Sequence, residues 1–125
     1  MSGTTLPDDM RRFLLGAIPS VPHLEALLLM QADAGIWTAA CLGRRLYVDE
    51  AMAVQVLADL IAQGLLRETA GGFHFAPRDR VVASLVADLA GVYARQVVAV
   101  TELIHSMSDR KARCFANAFR LRKES

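Results

Sequence analysis

The sequence predicts a mostly α-helical fold with a small β-hairpin and a long C-terminal helix. Apolar residues recur at helical spacing before residue 64 and after residue 79, and two short β-like runs flank a glycine pair. Four prolines fall where the hydrophobic pattern changes. With 125 residues the chain has the size of one domain. We divide it into residues 1–19, 20–77, 78–108 and 109–125.

Composition limits the function classes. The hydrophobic share of 54% is too high for a disordered chain, and no interval approaches the roughly 18 apolar residues of a membrane span. Acids and two arginines precede the first short apolar run, so we expect no secretory signal, no membrane association and a cytoplasmic location. The net charge of +1 argues against an overall basic nucleic-acid-binding surface.

The N-terminal third predicts two helices. Residues 7–16 form the first, because Pro7 suits a first turn and Met10, Phe13 and Leu14 share one side. A second helix starts at Ser20 and ends near Asp33, with Leu24, Leu27, Leu28 and Gln31 on one face. A short extended link follows over residues 35–37.

Two further helices and a hairpin complete residues 20–77. Thr38 is an N-cap for a helix over residues 39–46, and Asp49 is the N-cap of another that stops at Gly64. The runs 65–69 and 73–76 surround glycines that suit a tight turn.

Residues 79–107 predict one continuous helix of about 29 residues, roughly 43 Å long. Its apolar positions alternate at steps of four and three, the seam spacing of a coiled coil. We expect this seam to form a homodimer; the alternative is packing against the first helix and the core of the same chain. The seam residues are Val82, Val86, Leu89, Tyr93, Gln96, Val100, Leu103 and Met107.

The last seventeen residues predict a basic C-terminal helix capped by Ser108 or Asp109. Phe115 and Phe119 stand one turn apart, which favours docking over a free tail. We expect the tail to contact DNA backbone, an acidic partner, or the acidic part of its own chain or a dimer mate. Its basic residues are Arg110, Lys111, Arg113, Arg120, Arg122 and Lys123.

Residues 20–77 resemble a winged helix-turn-helix. The phrases HLEALLLM, GIWTAACLGRRL, AVQVLADLIAQGLL and RETAGGFHFAP carry the resemblance, and the flanking helices are similar to those of the MarR-like group of dimeric bacterial regulators. The resemblance implies a DNA-binding transcriptional regulator that acts as a homodimer, with the helix after Asp49 in the major groove and the hairpin as a wing. It makes Thr38, Arg44, Arg45, Gln55 and Arg67 the candidate DNA contacts.

Charge opposes this implication. Residues 20–77 carry three arginines against six acidic side chains, a net charge of −3. Asp49 and Glu50 stand where a recognition helix usually offers donors, and carboxylates there would be repelled by phosphate. The alternative function is therefore a winged-helix protein-interaction module that does not bind DNA and uses the long helix and basic tail to bind a protein partner.

The sequence offers no catalytic site. His23, His74 and His105 lie far apart, and only His105 has carboxylates at helical spacing, so we expect no metal and no cofactor. Cys41 lies among small apolar residues and predicts a core position, whereas Cys114 in its basic surroundings is the better candidate for a lowered pKa. No nucleophile, base and orienting residue fall together, so we predict that the chain is not an enzyme.

Overall fold

The computed structural model describes residues 6–106, which form six helices and one two-stranded antiparallel sheet. Met107 and the basic tail of residues 109–125 lie outside the described residues. The order from the second helix to the second strand is compatible with a winged helix. The elements are α1 (Asp8–Ala17), α2 (Val21–Ala32), α3 (Ala39–Leu46), α4 (Glu50–Ala62), β1 (Leu66–Thr69), β2 (Gly72–Phe75), α5 (Arg80–Arg95) and α6 (Val97–Ser106).

Three helices begin where the sequence predicts. Ser20, Thr38 and Asp49 each have extended backbone, and each side-chain oxygen accepts the backbone N–H three residues later. Such a bond satisfies one of the donors that a helix start leaves open. Helix α4 ends before Gly64, whose φ of 75° suits a residue without a side chain.

The hairpin pairs β1 with β2 in antiparallel register, with Leu66 opposite Phe75. The predicted extended link adds a one-residue strand, because Trp37 and Phe73 exchange backbone hydrogen bonds of 2.7 and 2.8 Å. This close approach requires a glycine at position 72: a Cβ there would lie 2.3 Å from the Trp37 carbonyl oxygen. The hairpin is thus fastened to the link between α2 and α3.

One apolar core joins all six helices. The predicted inner side of α1 is confirmed, since Met10 and Leu14 are 2% and 0% exposed. Helix α2 buries a broader surface than its predicted face. Its buried residues are His23, Leu24, Ala26, Leu27 and Met30.

The prediction of one continuous helix over residues 79–107 is wrong. Helix α5 ends at Arg95, α6 begins at Val97, and the two axes are bent by 109°. At the bend Gln96 has φ −131° and ψ 48°, yet its N–H still bonds the Val92 carbonyl at 2.7 Å. The Gln96 carbonyl accepts the Val100 N–H at 3.1 Å, so one residue closes the first helix and opens the second.

The residues that follow the bend are buried. Val100 and Ile104 on α6 lie in the apolar core at 0% and 1% exposure, and their burial stabilises the bent arrangement. The β-branched pair Val97 and Val98 follows the bend, and such residues stabilise a helix less than straight-chain residues do. Tertiary packing therefore overrides the seam spacing here.

The seam residues pack within a single chain, which was the alternative to a coiled-coil partner. Val82, Val86, Leu89 and Val100 are at most 5% exposed, and Tyr93 and Leu103 pack partly buried against the same core. Among residues 6–106 no single helix is long and apolar enough to cross a membrane. Only the bent pairs α1 with α2 and α5 with α6 reach that length and composition.

Candidate interaction surface on helix α4

Helix α4 has a buried side and an exposed side of unusual chemistry. Its buried residues are Ala53, Val56, Leu57 and Leu60. The opposite side, which we name the α4 outer face, consists of the exposed residues Ala51, Met52, Val54, Gln55, Ala58 and Ala62. Met52 and Val54 are 39% and 53% exposed, so large apolar groups meet solvent on both edges of this face.

The single polar side chain of the α4 outer face is already bonded. The Gln55 amide donates to Oδ1 of Asp59, one helical turn later, at 2.9 Å. The same amide keeps a second N–H donor and its carbonyl oxygen, but it is the one polar group among the five apolar side chains of this face. The position that the winged-helix resemblance assigns to base contacts therefore presents mainly methyl and thioether groups.

Asp59 connects α4 to α2 through a chain of hydrogen bonds. His23 Nε2 lies 2.8 Å from Asp59 Oδ2, and His23 Nδ1 lies 2.5 Å from the Ser20 hydroxyl. Because a carboxylate only accepts, Nε2 donates to Asp59, and in the neutral ring Nδ1 accepts the Ser20 hydroxyl proton. The His23 bond lowers the pKa of the Asp59 carboxyl, burial opposes this, and the Gln55 bond adds to the lowering.

The hydrogen bonds from Ser20 through His23 to Asp59 were not predicted from the sequence. His23 is 7% exposed and thirty-six residues from Asp59, and the local signal was only the spacing of four between Gln55 and Asp59. The order serine, histidine, aspartate is that of a nucleophilic relay. Here, however, the Ser20 oxygen also accepts the backbone N–H of His23 as an N-cap. These hydrogen bonds hold α2 against α4 and so orient the α4 outer face.

The candidate DNA contacts fall on three elements. Thr38 caps α3 with its hydroxyl, and Arg44 and Arg45 lie exposed in the last turn of that helix. Arg67 lies exposed on β1. The Arg45 guanidinium stacks over the Trp37 ring, 5.5 Å from its centroid. Within residues 6–106 no hydrogen bond or ion pair joins any two of these candidates, Gln55 included.

The acidic start of α4 has a structural role. Asp49 Oδ1 accepts the Met52 N–H at 2.8 Å, as its predicted cap function requires. Glu50 is exposed in the first turn, where a negative charge complements the helix dipole. Both carboxylates border the α4 outer face at the end that would enter a DNA groove.

Helix α5 is tied to α2 beside a shallow groove of about 550 Å³. The Tyr93 hydroxyl donates to Oε2 of Glu25 at 3.3 Å. Burial raises the pKa of Tyr93, and the Glu25 charge and hydrogen bond raise it further. This hydrogen bond holds the predicted seam residue Tyr93 against α2 of the same chain.

The described residues contain no group of three or more histidine, cysteine or acidic side chains able to hold a metal. His105 is exposed, and Cys41 is half-buried against the core. Cys114 lies outside the described residues. Comparisons of the chain with models of protein families, with curated proteins and with solved structures find no match.

Proposed function

We propose that this chain is a winged-helix protein-interaction module whose partner contacts the α4 outer face. The supporting observation is the chemistry of that face: Met52 and Val54 are exposed, and the one amide between them is bonded to Asp59. Exposed apolar groups around small side chains permit close packing against a partner. A base-reading helix presents several polar side chains to the base edges, and this face has only one, Gln55.

A partner that covers the α4 outer face removes apolar area from water. Covering a methionine and a valine that are about half exposed contributes about 1 kcal/mol each. Ala51, Ala58 and Ala62 between them allow a partner backbone or helix to approach closely, and the caps at Asp49 and Ser20 hold the surface in one geometry before binding. Prior ordering lowers the entropic cost of binding.

The experiment uses the full chain in cells of its own source. A photo-cross-linking residue replaces Val54 in one variant and Leu15 in a control, because their exposures of 53% and 42% are similar. We expect the residue at position 54 to yield a protein adduct that position 15 does not. Adducts to DNA at position 54, or equal adducts at both, would contradict the proposal.

The captured protein is then purified and titrated. We expect Val54→Glu to weaken its binding at least about tenfold, because a charge would replace an apolar contact. Leu15→Glu serves as the matched control and should bind as the original chain does. Equal loss in both variants would indicate a general folding defect and is checked by circular dichroism.

The second candidate is a DNA-binding homodimeric regulator of the MarR-like type. Arg44 and Arg67 support it, because both are exposed and neither has a carboxylate partner within residues 6–106. Such a dimer would need a surface other than the buried seam, for example exposed Val97 and Val98. Salt-sensitive binding to genomic fragments, lost in Arg44→Ala with Arg67→Ala, would favour this function.

A further inference from the structure

A groove runs between α1 and α5, and none of its lining residues belongs to α4. Met10, Leu85 and Val92 give it apolar walls, and Asp9 and Asp88 line it beside them. Its volume is about 490 Å³. A second cavity continues it toward the start of α5, shares Leu85 and both aspartates, and ends at Val81, which is 77% exposed. We name the two together the α1–α5 groove.

The chain leaves the described residues close to this groove. Ser106 lines a third cavity together with Arg11 and Arg95, and Arg95 also lines the α1–α5 groove. From Arg95 to Val81 the groove follows α5 for fourteen residues, about 21 Å at the helical rise. The nineteen residues after Ser106 span about 28 Å even in helical form. The remaining chain is therefore long enough to follow the whole groove.

The charge of residues 107–125 complements that of residues 6–106. Eight basic and eleven acidic side chains give residues 6–106 a net charge of −3, whereas residues 107–125 carry +4. The groove is lined by two acids, Asp9 and Asp88, and by two arginines toward its ends, Arg80 and Arg95; both aspartates are exposed and form no ion pair within the described residues. The segment also contains Phe115 and Phe119, nine and thirteen residues beyond Ser106.

We propose that residues 107–125 bind in the α1–α5 groove of their own chain. Phe115 and Phe119 cover the apolar wall at Leu85 and Val92, and basic side chains of the segment face Asp9 and Asp88. The segment then covers the apolar wall of the groove, and the α4 outer face stays exposed. This inference is independent of what that partner is.

The test uses the native Cys114 as a reporter in the full chain. Cys41→Ala removes the other cysteine, and a new cysteine is placed either at Ala87 in the α1–α5 groove or at Ala58 on α4; both alanines are exposed. A short bis-maleimide joins the two thiols. We expect cross-linking within one chain to be at least about tenfold faster from position 87 than from position 58.

Two further variants separate docking from chance encounter. Ser84→Cys, a second exposed groove position, should cross-link like Ala87→Cys, and Phe115→Ser with Phe119→Ser should abolish the preference. Equal rates at positions 87 and 58 would overturn the proposal. Cross-links that appear only at the mass of two chains would also overturn it, since the groove would then hold the tail of a second copy.

Discussion

Helices α4 and α5 both carry apolar residues, but each exposes or buries them contrary to its expected function. The winged-helix resemblance makes α4 a DNA-reading helix, and the seam spacing makes α5 part of an apolar, partner-binding helix. In the structure α5 turns its seam into the core of its own chain, with Leu89 at 0% exposure, while α4 leaves Val54 at 53% exposure. The difference teaches that an apolar stripe marks a binding surface only after the contacts of its own chain are counted.

The largest expected effect tests whether α5 buries its apolar seam in the core of its own chain. Leu89→Ala should cost about 2–5 kcal/mol in the free energy of unfolding, because it removes a fully buried side chain and leaves a cavity. Val54→Ala, at the exposed position, should stay within about 0.5 kcal/mol. Urea unfolding followed by circular dichroism measures both. A stable Leu89→Ala chain that has lost self-association would show instead that the seam faces a partner.

The next effect tests how the hairpin is fastened. Gly71 and Gly72 both have positive φ, but only at Gly72 would a Cβ collide with backbone, 2.3 Å from the Trp37 carbonyl. Gly72→Ala should therefore cost about 1–3 kcal/mol more than Gly71→Ala, since it adds overpacking to the same conformational strain. Equal costs from thermal unfolding would mean that the Trp37–Phe73 bridge is not maintained in solution.

A smaller effect tests the connection that orients α4. The pKa of Asp59 lies below its ordinary 3.8 in the folded chain, so its stabilisation is complete above that value and is lost as pH falls through the lower folded pKa. The side chain is 39% exposed, so we expect about 1 kcal/mol or less. Asp59→Asn should remove this component. Identical changes between pH 6 and pH 3 in both chains would show that Asp59 is not coupled to His23.

The smallest effect concerns the bend between α5 and α6. Gln96 Oε1 is buried without a hydrogen-bond partner among the described residues. Gln96→Met keeps the shape and removes this unsatisfied acceptor, so it should stabilise the chain by up to about 1 kcal/mol. Gln63→Met is the matched control, because Gln63 holds the same C-cap position on α4. Destabilisation specific to position 96 would mean that the amide fixes the bend.

Local chemistry predicted much of the fold. Caps at Thr38 and Asp49, the stop at Gly64 and the glycine turn depend on nearby residues, and the structure confirms them. The bend at Gln96 depends on what Val100 and Ile104 meet in three dimensions, which helical spacing does not contain. The hydrogen bond from His23 to Asp59 joins residues thirty-six positions apart, and no local sequence pattern predicts it.

The winged-helix resemblance singled out the helix after Asp49, and its acidic start is visible in the sequence. Which side of that helix remains exposed could not be predicted. That outcome depends on Val56, Leu57 and Leu60 filling the core and on Asp59 engaging Gln55. Once these contacts are made, the side chains of α4 that remain exposed to solvent are mainly apolar.

Titration of the cross-linked partner with the full chain and its Val54→Glu variant shows whether the α4 outer face is the binding surface. We expect at least about a tenfold loss of affinity in the variant, with the Leu15→Glu control unchanged. Undiminished affinity in Val54→Glu, together with salt-sensitive DNA binding that Arg44→Ala and Arg67→Ala abolish, would contradict it.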